Sequence, residues 1–449
     1  MKTKLKEVPG SVIAPRGFRA AGVFCNIKRL GTGKGSDKGR KRDLALIVSD
    51  VLAAVAGMFT TNQVCAAPVK VCLRRVKRGR AQALVVNSGN ANACTGKQGL
   101  RDAETMVRFT EQVLALPAGG ALVGSTGRIG VLLPMDNVRA GIMDAAVGLG
   151  TTAAHAAQAA EAIMTSDTRR KEIAVQFSVA GKPARIGGMC KGAGMIQPGM
   201  SATGKRPAAQ PLHATMLCFI TTDAAVARAA LHVALEQAVA QSFNRITIDG
   251  DMSTNDTVLV LANGLAMAEP VSGTKLEISN LKSPEFAAFQ TALNHVCLEL
   301  AKMIVRDGEG VSRFVTVRLS GARTPADADA AARAVANSAL VKTSWHGGDP
   351  NWGRIIDALG YSAATVVESK VDIGYSEPGS RKVVWSLRKG QPAKTTFQAL
   401  CAAVAAKEFD LHINLNVGHA SALLYAADLT EEYVAFNKGD VSDPSSLGG

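Results

Sequence analysis

Ala214-Thr215 opens directly into an apolar run, Met216-Leu217-Cys218-Phe219-Ile220. A cut before Thr215 would put a hydroxyl nucleophile and a free α-amine on one residue. An unperturbed α-amine has a pKa of roughly 7.7–8.0, so near neutral pH part of it accepts a proton. Such a threonine is nucleophile and base at once. The same dipeptide is also an ordinary lead into a strand, and only its surroundings separate the two readings.

Four polar, glycine-rich segments could complete a site. Gly124-Ser125-Thr126-Gly127-Arg128-Ile129-Gly130 sets a hydroxyl among glycines. Backbone N–H groups can then approach a substrate closely, as an oxyanion hole requires; a plain tight turn has the same composition. Ser242 to Thr257 is rich in Asp, Asn, Ser and Thr, which orient a ligand or satisfy a loop. Its Asp249-Gly250-Asp251 resembles part of a calcium loop but lacks the terminal bidentate Glu, so a structural loop is expected there. Val305-Arg306-Asp307-Gly308-Glu309-Gly310 leaves Glu309 sterically free to meet a cationic substrate or to order a loop. Gly347-Gly348-Asp349-Pro350-Asn351-Trp352-Gly353-Arg354 is a turn that carries an aromatic.

Strands are expected at Leu44–Val48, Ala83–Val86, Ile173–Val179, Met216–Thr221, Val258–Leu261 and Phe314–Leu319. Helices are expected at Ala103–Leu114, Thr151–Met164, Ala224 to about Val239 with Asp223 as its cap, and Pro325–Ser338. Strands and helices interleave in both halves, which points to an α/β or α+β enzyme with layered sheets. Two halves fit the 449 residues better than one domain. There is no short-period repeat, and no Pro- or Ser-rich linker divides the chain.

Composition excludes several classes. Apolar residues make up 47% of the chain and aromatics only 4%, so base-stacking platforms are not expected. Residues 1–80 hold 18 Lys and Arg against 4 Asp and Glu, and the rest of the chain 33 against 33. The basic clusters, Lys34 to Arg42 and Arg74 to Arg80, lack interleaved aromatics and read as solvated faces rather than a nucleic-acid or membrane surface. Gly33-Lys34 is followed by Gly35, which rules out a phosphate loop. Eight cysteines without a Cys-x-x-Cys fit reduced, buried thiols. His412 and His419 lack a third ligand nearby, so no metal is expected. Neither a membrane span nor a secretion signal is expected; the cytoplasm is the expected compartment, the mitochondrial matrix the alternative.

The ordered set of segments resembles the ornithine acetyltransferase family, the bifunctional glutamate N-acetyltransferase/amino-acid acetyltransferases of arginine biosynthesis. The resemblance runs from Val8 to about Ser442. It rests on Ala14-Pro15-Arg16-Gly17-Phe18, Phe59-Thr60-Thr61-Asn62, Asn87-Ser88-Gly89-Asn90-Ala91-Asn92-Ala93, Ser125-Thr126-Gly127 and Met164-Thr165-Ser166-Asp167-Thr168. Lys191-Gly192-Ala193-Gly194-Met195-Ile196, the Thr215 segment, Asn244 to Thr257, Asp307-Gly308-Glu309-Gly310 and Asp349-Pro350-Asn351-Trp352-Gly353-Arg354 complete it.

The resemblance implies a four-layer α/β/β/α fold and self-cleavage into an α chain, 1–214, and a β chain, 215–449, cut between Ala214 and Thr215. It implies acetyl transfer from N2-acetyl-L-ornithine to L-glutamate through acetyl-Thr215, and leaves open whether acetyl-CoA is also a donor. Thr126 and Gly127 match the oxyanion pair. Thr165, Lys191, Thr215, Glu309, Asn437 and Ser442 match the substrate contacts, the last two because they stand five apart. No cofactor is implied, and two α and two β chains are expected to assemble. One departure stands out: thirteen extra residues, Ser201 to His213, separate Met200 from Ala214-Thr215, and they include a decoy, Ala202-Thr203. Two other classes stay open: an N-terminal-nucleophile amidase or aminopeptidase, and an unprocessed, non-catalytic relative.

Overall fold

The computed structural model describes residues 4–28, 41–205, 216–267 and 277–438. Thr215, Ala214, Ser442, most of the inserted segment and most of the Lys34–Arg42 cluster lie outside the described residues.

The first sheet is built from β1 (Lys6–Glu7), β2 (Phe18–Val23), β3 (Leu44–Phe59), β4 (Arg80–Asn90), β5 (Ala121–Arg128), β6 (Lys171–Val179), β7 (Lys182–Lys191), β8 (Leu217–Thr222) and β10 (Thr257–Ala262). Between them run α1 (Ala67–Val76), α2 (Gly96–Val113), α3 (Met135–Val147), α4 (Ala153–Ala162) and α5 (Arg228–Gln241). The short β9 (Ile246–Thr247) leaves for a second sheet. The strand order is β1-β6-β7-β8-β10-β3-β4-β5, with β2 added to β3.

This sheet doubles over. Four strand spacings separate β8 from β5, roughly 19 Å if the sheet were flat. A Cβ built on Gly124 of β5 would nevertheless lie 3.1 Å from the ring of Phe219 on β8. Leu217, Phe219, Leu259 and Leu261 share one core with Ala45–Ile47 and Leu84–Val86 of the other half, over which α1 to α4 pack. The alternate side chains, Cys218, Ile220, Val258 and Val260, face α5 and α6 (Pro284–Arg306). Helices, two sheet layers and helices again give the α/β/β/α order. Strands buried on both faces must be apolar throughout, which is why β8 and β10 read as unbroken runs rather than alternating ones.

The bend is carried by β3. The expected strand at Leu44–Val48 continues through Ser49 and Asp50 to Phe59, with a register shift between Val48 and Ala53. Its first half pairs with β2 and β4, its second with β10. The helix expected from Ala224 starts four residues later, at Arg228. Asp223 caps nothing there; its carboxylate accepts the N–H groups of Arg16 and Arg185 at 3.0 and 2.6 Å. That bond competes with capping and ties the start of the chain to β7.

The second sheet holds β9, β11 (Phe314–Ala322), β12 (Asp372–Ser376), β13 (Val384–Arg388), β14 (Gln391–Pro392), β15 (Glu408–Asn414) and β16 (Ala420–Ala427). Its helices are α7 (Pro325–Asn337), α8 (Ala339–His346), α9 (Trp352–Gly360), α10 (Phe397–Val404) and α11 (Glu431–Phe436). Ser283, Thr324, Ser338, Asn351, Thr396 and Thr430 each accept a backbone N–H at the start of a helix, a contact worth about 1 kcal/mol. Asn351 belongs to the Gly347–Arg354 segment, so that turn builds the start of α9.

Candidate active site

The segment before the expected nucleophile and the strand after it are both anchored. Asn244 holds Met200 by two hydrogen bonds, 3.0 and 3.1 Å, and Ser201 pairs with Phe59 at the end of β3. The chain is held again at Met216, whose N–H donates to Asp256 Oδ1. Phe59 also pairs with Thr257, and Thr257 with Leu217. Residues 201 and 216 therefore meet the same end of the same strands, and the extra residues need not disturb either flank. The decoy Thr203 sits on an exposed turn and lines an apolar cavity of about 710 Å³ with Phe59, Leu73 and His232.

Asn255 and Asp256 join the strand after Thr215 to the Thr126 segment. The Asn255 amide donates to the carbonyls of Ser125 and Ala91 at 2.8 and 2.7 Å, while its neighbour Asp256 holds Met216. One dipeptide thus ties the residue after Thr215 to the residue before Thr126. Thr126 is buried and Gly127 exposed at a register irregularity between β4 and β5. Gly127 has φ +126°, and a Cβ there would lie 2.4 Å from the Gly89 carbonyl carbon, so only glycine fits.

The charged side of the site rests on a buried ion triad. Lys171 Nζ donates to Asp167 at 2.6 Å and to Asp307 at 2.5 Å, and all three are buried. Each carboxylate orders a neighbouring segment. Asp167 accepts the N–H of Gly192, next to Lys191, at 2.7 Å and that of Thr165 at 3.0 Å. Asp307 accepts the N–H and hydroxyl of Thr168. Glu309, two residues on, donates its N–H to Ala193 at 2.8 Å. A Cβ on Gly194 would lie 2.5 Å from the Glu309 carboxyl, so glycine leaves that carboxylate its place.

Burial would raise the Asp167 carboxyl, but Lys171, Lys191 and the Gly192 N–H outweigh it and hold it well below the usual range. Burial pushes the Lys191 ammonium down against the opposing pull of Asp167. The Lys191 ammonium makes no hydrogen bond or ion pair with the described residues, while its backbone pairs with Leu217. A desolvated cation in that position suits an incoming carboxylate. Asn437 closes the group, donating to Glu309 Oε2 at 2.9 Å from the end of α11. That helix is docked by Thr430, which donates to the Gly310 carbonyl at 2.7 Å.

Comparison with known proteins now decides the family. The ArgJ family model matches residues 19–439. The arginine biosynthesis bifunctional protein ArgJ of Symbiobacterium thermophilum is 45% identical over 433 residues, covering 96% of this chain and 99% of that one. The chain belongs to the ArgJ family. A glutamate N-acetyltransferase of Methanocaldococcus jannaschii is 41% identical over 438 residues, 96% of this chain and 99% of its own. Among solved structures, an ornithine acetyltransferase of Mycobacterium tuberculosis complexed with ornithine is 37% identical, with a TM-score of 0.40, covering 44% of this chain and 100% of that chain.

In this ArgJ-family chain, the structure brings Lys191, Glu309, Asn437 and the Thr165 segment into one network and ties Thr126 to the flank of Thr215. Three further residues emerge. Asp249 accepts the N–H groups of Met195, Ile196 and Asp251 at 2.6, 2.8 and 3.1 Å, so it orders the loop after Lys191. Lys171 lies two residues before the strand expected at Ile173–Val179 and opens the observed β6. Asp256 was one of many polar residues in its loop, and neither carried a signal of its own. Among the described residues no helix is long and apolar enough to cross a membrane.

Proposed function

We propose that the chain transfers an acetyl group from N2-acetyl-L-ornithine to L-glutamate in arginine biosynthesis, with Thr215, freed by self-cleavage, as the nucleophile. The observation that carries the reading is the Asn255–Asp256 bridge between the flank of Thr215 and the Thr126 segment. The Thr215 hydroxyl attacks the acetyl carbonyl and its own amine takes the proton. The Thr126 hydroxyl and Gly127 N–H stabilise the oxyanion. Ornithine leaves, and the glutamate amine attacks the acetyl ester in the reverse sense.

Donor and acceptor share an α-amino-acid skeleton, so one set of contacts serves both. Lys191 pairs with the α-carboxylate, Glu309 with the ornithine ammonium, and Thr165, Asn437 and Ser442 complete the pocket. The α and β chains assemble two and two and work in the cytoplasm. The steady-state test is initial rate against both substrates. Parallel double-reciprocal lines are expected; intersecting lines would overturn the acetyl-enzyme. Release of acetate at the same rate without glutamate would instead assign a hydrolase.

A further inference from the structure

The amine that serves as base during acetyl transfer does not exist before self-cleavage. In the uncut chain the Thr215 nitrogen is an amide, whose lone pair is delocalised into the carbonyl. A threonine hydroxyl is a weak nucleophile without a base beside it. The cut that creates the amine must therefore draw on another group.

Asp256 is bonded to the residue that follows Thr215. Its Oδ1 accepts the Met216 N–H, one residue from Thr215, and consecutive Cα atoms are 3.8 Å apart. Its other oxygen, Oδ2, is buried and has no hydrogen-bond partner among the described residues. A buried carboxyl oxygen without a partner is costly, and a function is a reason to retain one. We propose that Asp256 is the general base of self-cleavage. Oδ2 takes the proton from the Thr215 hydroxyl as Oγ1 bonds to the Ala214 carbonyl carbon. It returns that proton to the Thr215 nitrogen as the carbon–nitrogen bond breaks. The product is an ester between Ala214 and Oγ1, with a free α-amine. Water then adds to the ester carbonyl and the Oγ1–carbon bond breaks. The water supplies the hydroxyl proton and leaves Ala214 with its carboxyl group.

The electrostatics fit this role. Burial raises the carboxyl well above the ordinary range, while the Met216 N–H and the Lys191 ammonium, the charged group that faces it, pull it back. A base with a raised pKa takes a hydroxyl proton more readily than an ordinary carboxylate and still returns it. The Asp256 main chain is fixed as well: its carbonyl accepts the N–H of Thr60, the residue after β3, at 2.9 Å.

The inference rests on Thr215 as the nucleophile, and the test separates the two. Freshly made wild-type, T215A and D256N chains are followed by intact mass, with and without hydroxylamine. Asparagine keeps an acceptor for Met216 and the side chain's shape. D256N is expected to cut about a hundredfold more slowly, within the range typical of a lost general base. It should stay uncut in hydroxylamine, because no ester forms. Cleavage at the wild-type rate, or rapid cutting by hydroxylamine, would overturn Asp256 as the base. Cutting of T215A would instead remove the nucleophile itself. Should D256N lose its cooperative melt, the size-matched pair D256E and D256Q decides. Cleavage only in D256E supports the proposal, and equal behaviour overturns it.

Discussion

The two sides of the candidate site are built from different materials. Around Thr126 and Met216 the positioning groups are amides and hydroxyls: Asn255, Ser125, Asn87 and the backbone of a bulged strand, with Asp256 as the one carboxyl. Around Lys191 and Glu309 they are ions: Asp167, Lys171 and Asp307, all buried. The reaction explains the division. An oxyanion exists only in transit, and fixed neutral dipoles stabilise it without attracting a counter-ion beforehand. An amino-acid substrate carries permanent charges, and groups that meet them must themselves be held by opposite charge once they are desolvated.

The comparison breaks most severely at its centre. Lys171→Met removes the buried cation between Asp167 and Asp307, leaving Asp307 the exposed Arg169 at 3.6 Å, and is expected to cost about 3–5 kcal/mol of stability, measured by urea unfolding. The pH dependence has a definite sign. Asp167 is depressed in the folded chain, so its contribution is full above roughly pH 3.9 and disappears only as pH falls through its lower folded value. Lys171 is raised because Asp167 and Asp307 outweigh the burial that opposes them, so its contribution is lost only as pH climbs past its folded value, above about 10.4. Wild-type stability from this triad should be flat between those limits, and that of Lys171→Met should rise on acidification.

On the neutral side, Thr126→Val keeps the shape and removes one of the two proposed oxyanion donors. The expected result is a loss of about a hundred- to a thousandfold in kcat, with folding unchanged in a thermal melt. Glu309→Gln tests the ionic side by the opposite signature. It should raise KM for acetylornithine about ten- to a hundredfold, from roughly 1.5–3 kcal/mol of a charge-assisted contact. Self-cleavage should proceed as before. The smallest effect is expected at Asn437→Ala, which removes one exposed hydrogen bond to Glu309. About 0.5–1.5 kcal/mol, or a few- to tenfold in KM, is the expected cost. Should Thr126→Val move KM and Glu309→Gln move kcat, the division between the two sides would fail.

How much of this was legible in the sequence follows the same division. Thr126, Gly127 and Glu309 lie in short glycine-flanked segments whose residue types suggest a chemistry, and Lys191 was marked by the family resemblance, so all four could be proposed without the fold. The groups that hold them could not. Lys171 meets Asp307 from 136 positions away, and Asn255 meets Ser125 from 130. Nothing near Lys171 in the chain marks it as buried. Five of the nine strands of the first sheet, β3, β4, β6, β8 and β10, were visible as apolar runs; β1, β2, β5 and β7 were not, and the glycines of β5 read as a turn. The sheet's doubling was not visible either, because it depends on β3 changing partners at a register shift. Asp223 was misjudged as a cap for the same reason: its true partners, Arg16 and Arg185, arrive from elsewhere in the fold.

In the proposed reaction Thr215, exposed by self-cleavage, carries the acetyl group. Intact mass of the purified protein incubated with N2-acetylornithine alone addresses both parts at once. Two pieces are expected, one ending at Ala214 and one beginning at Thr215, with a single acetyl group on Thr215 of the second. A single uncut chain that still transfers acetyl groups, or an acetyl group on any other residue, would contradict it.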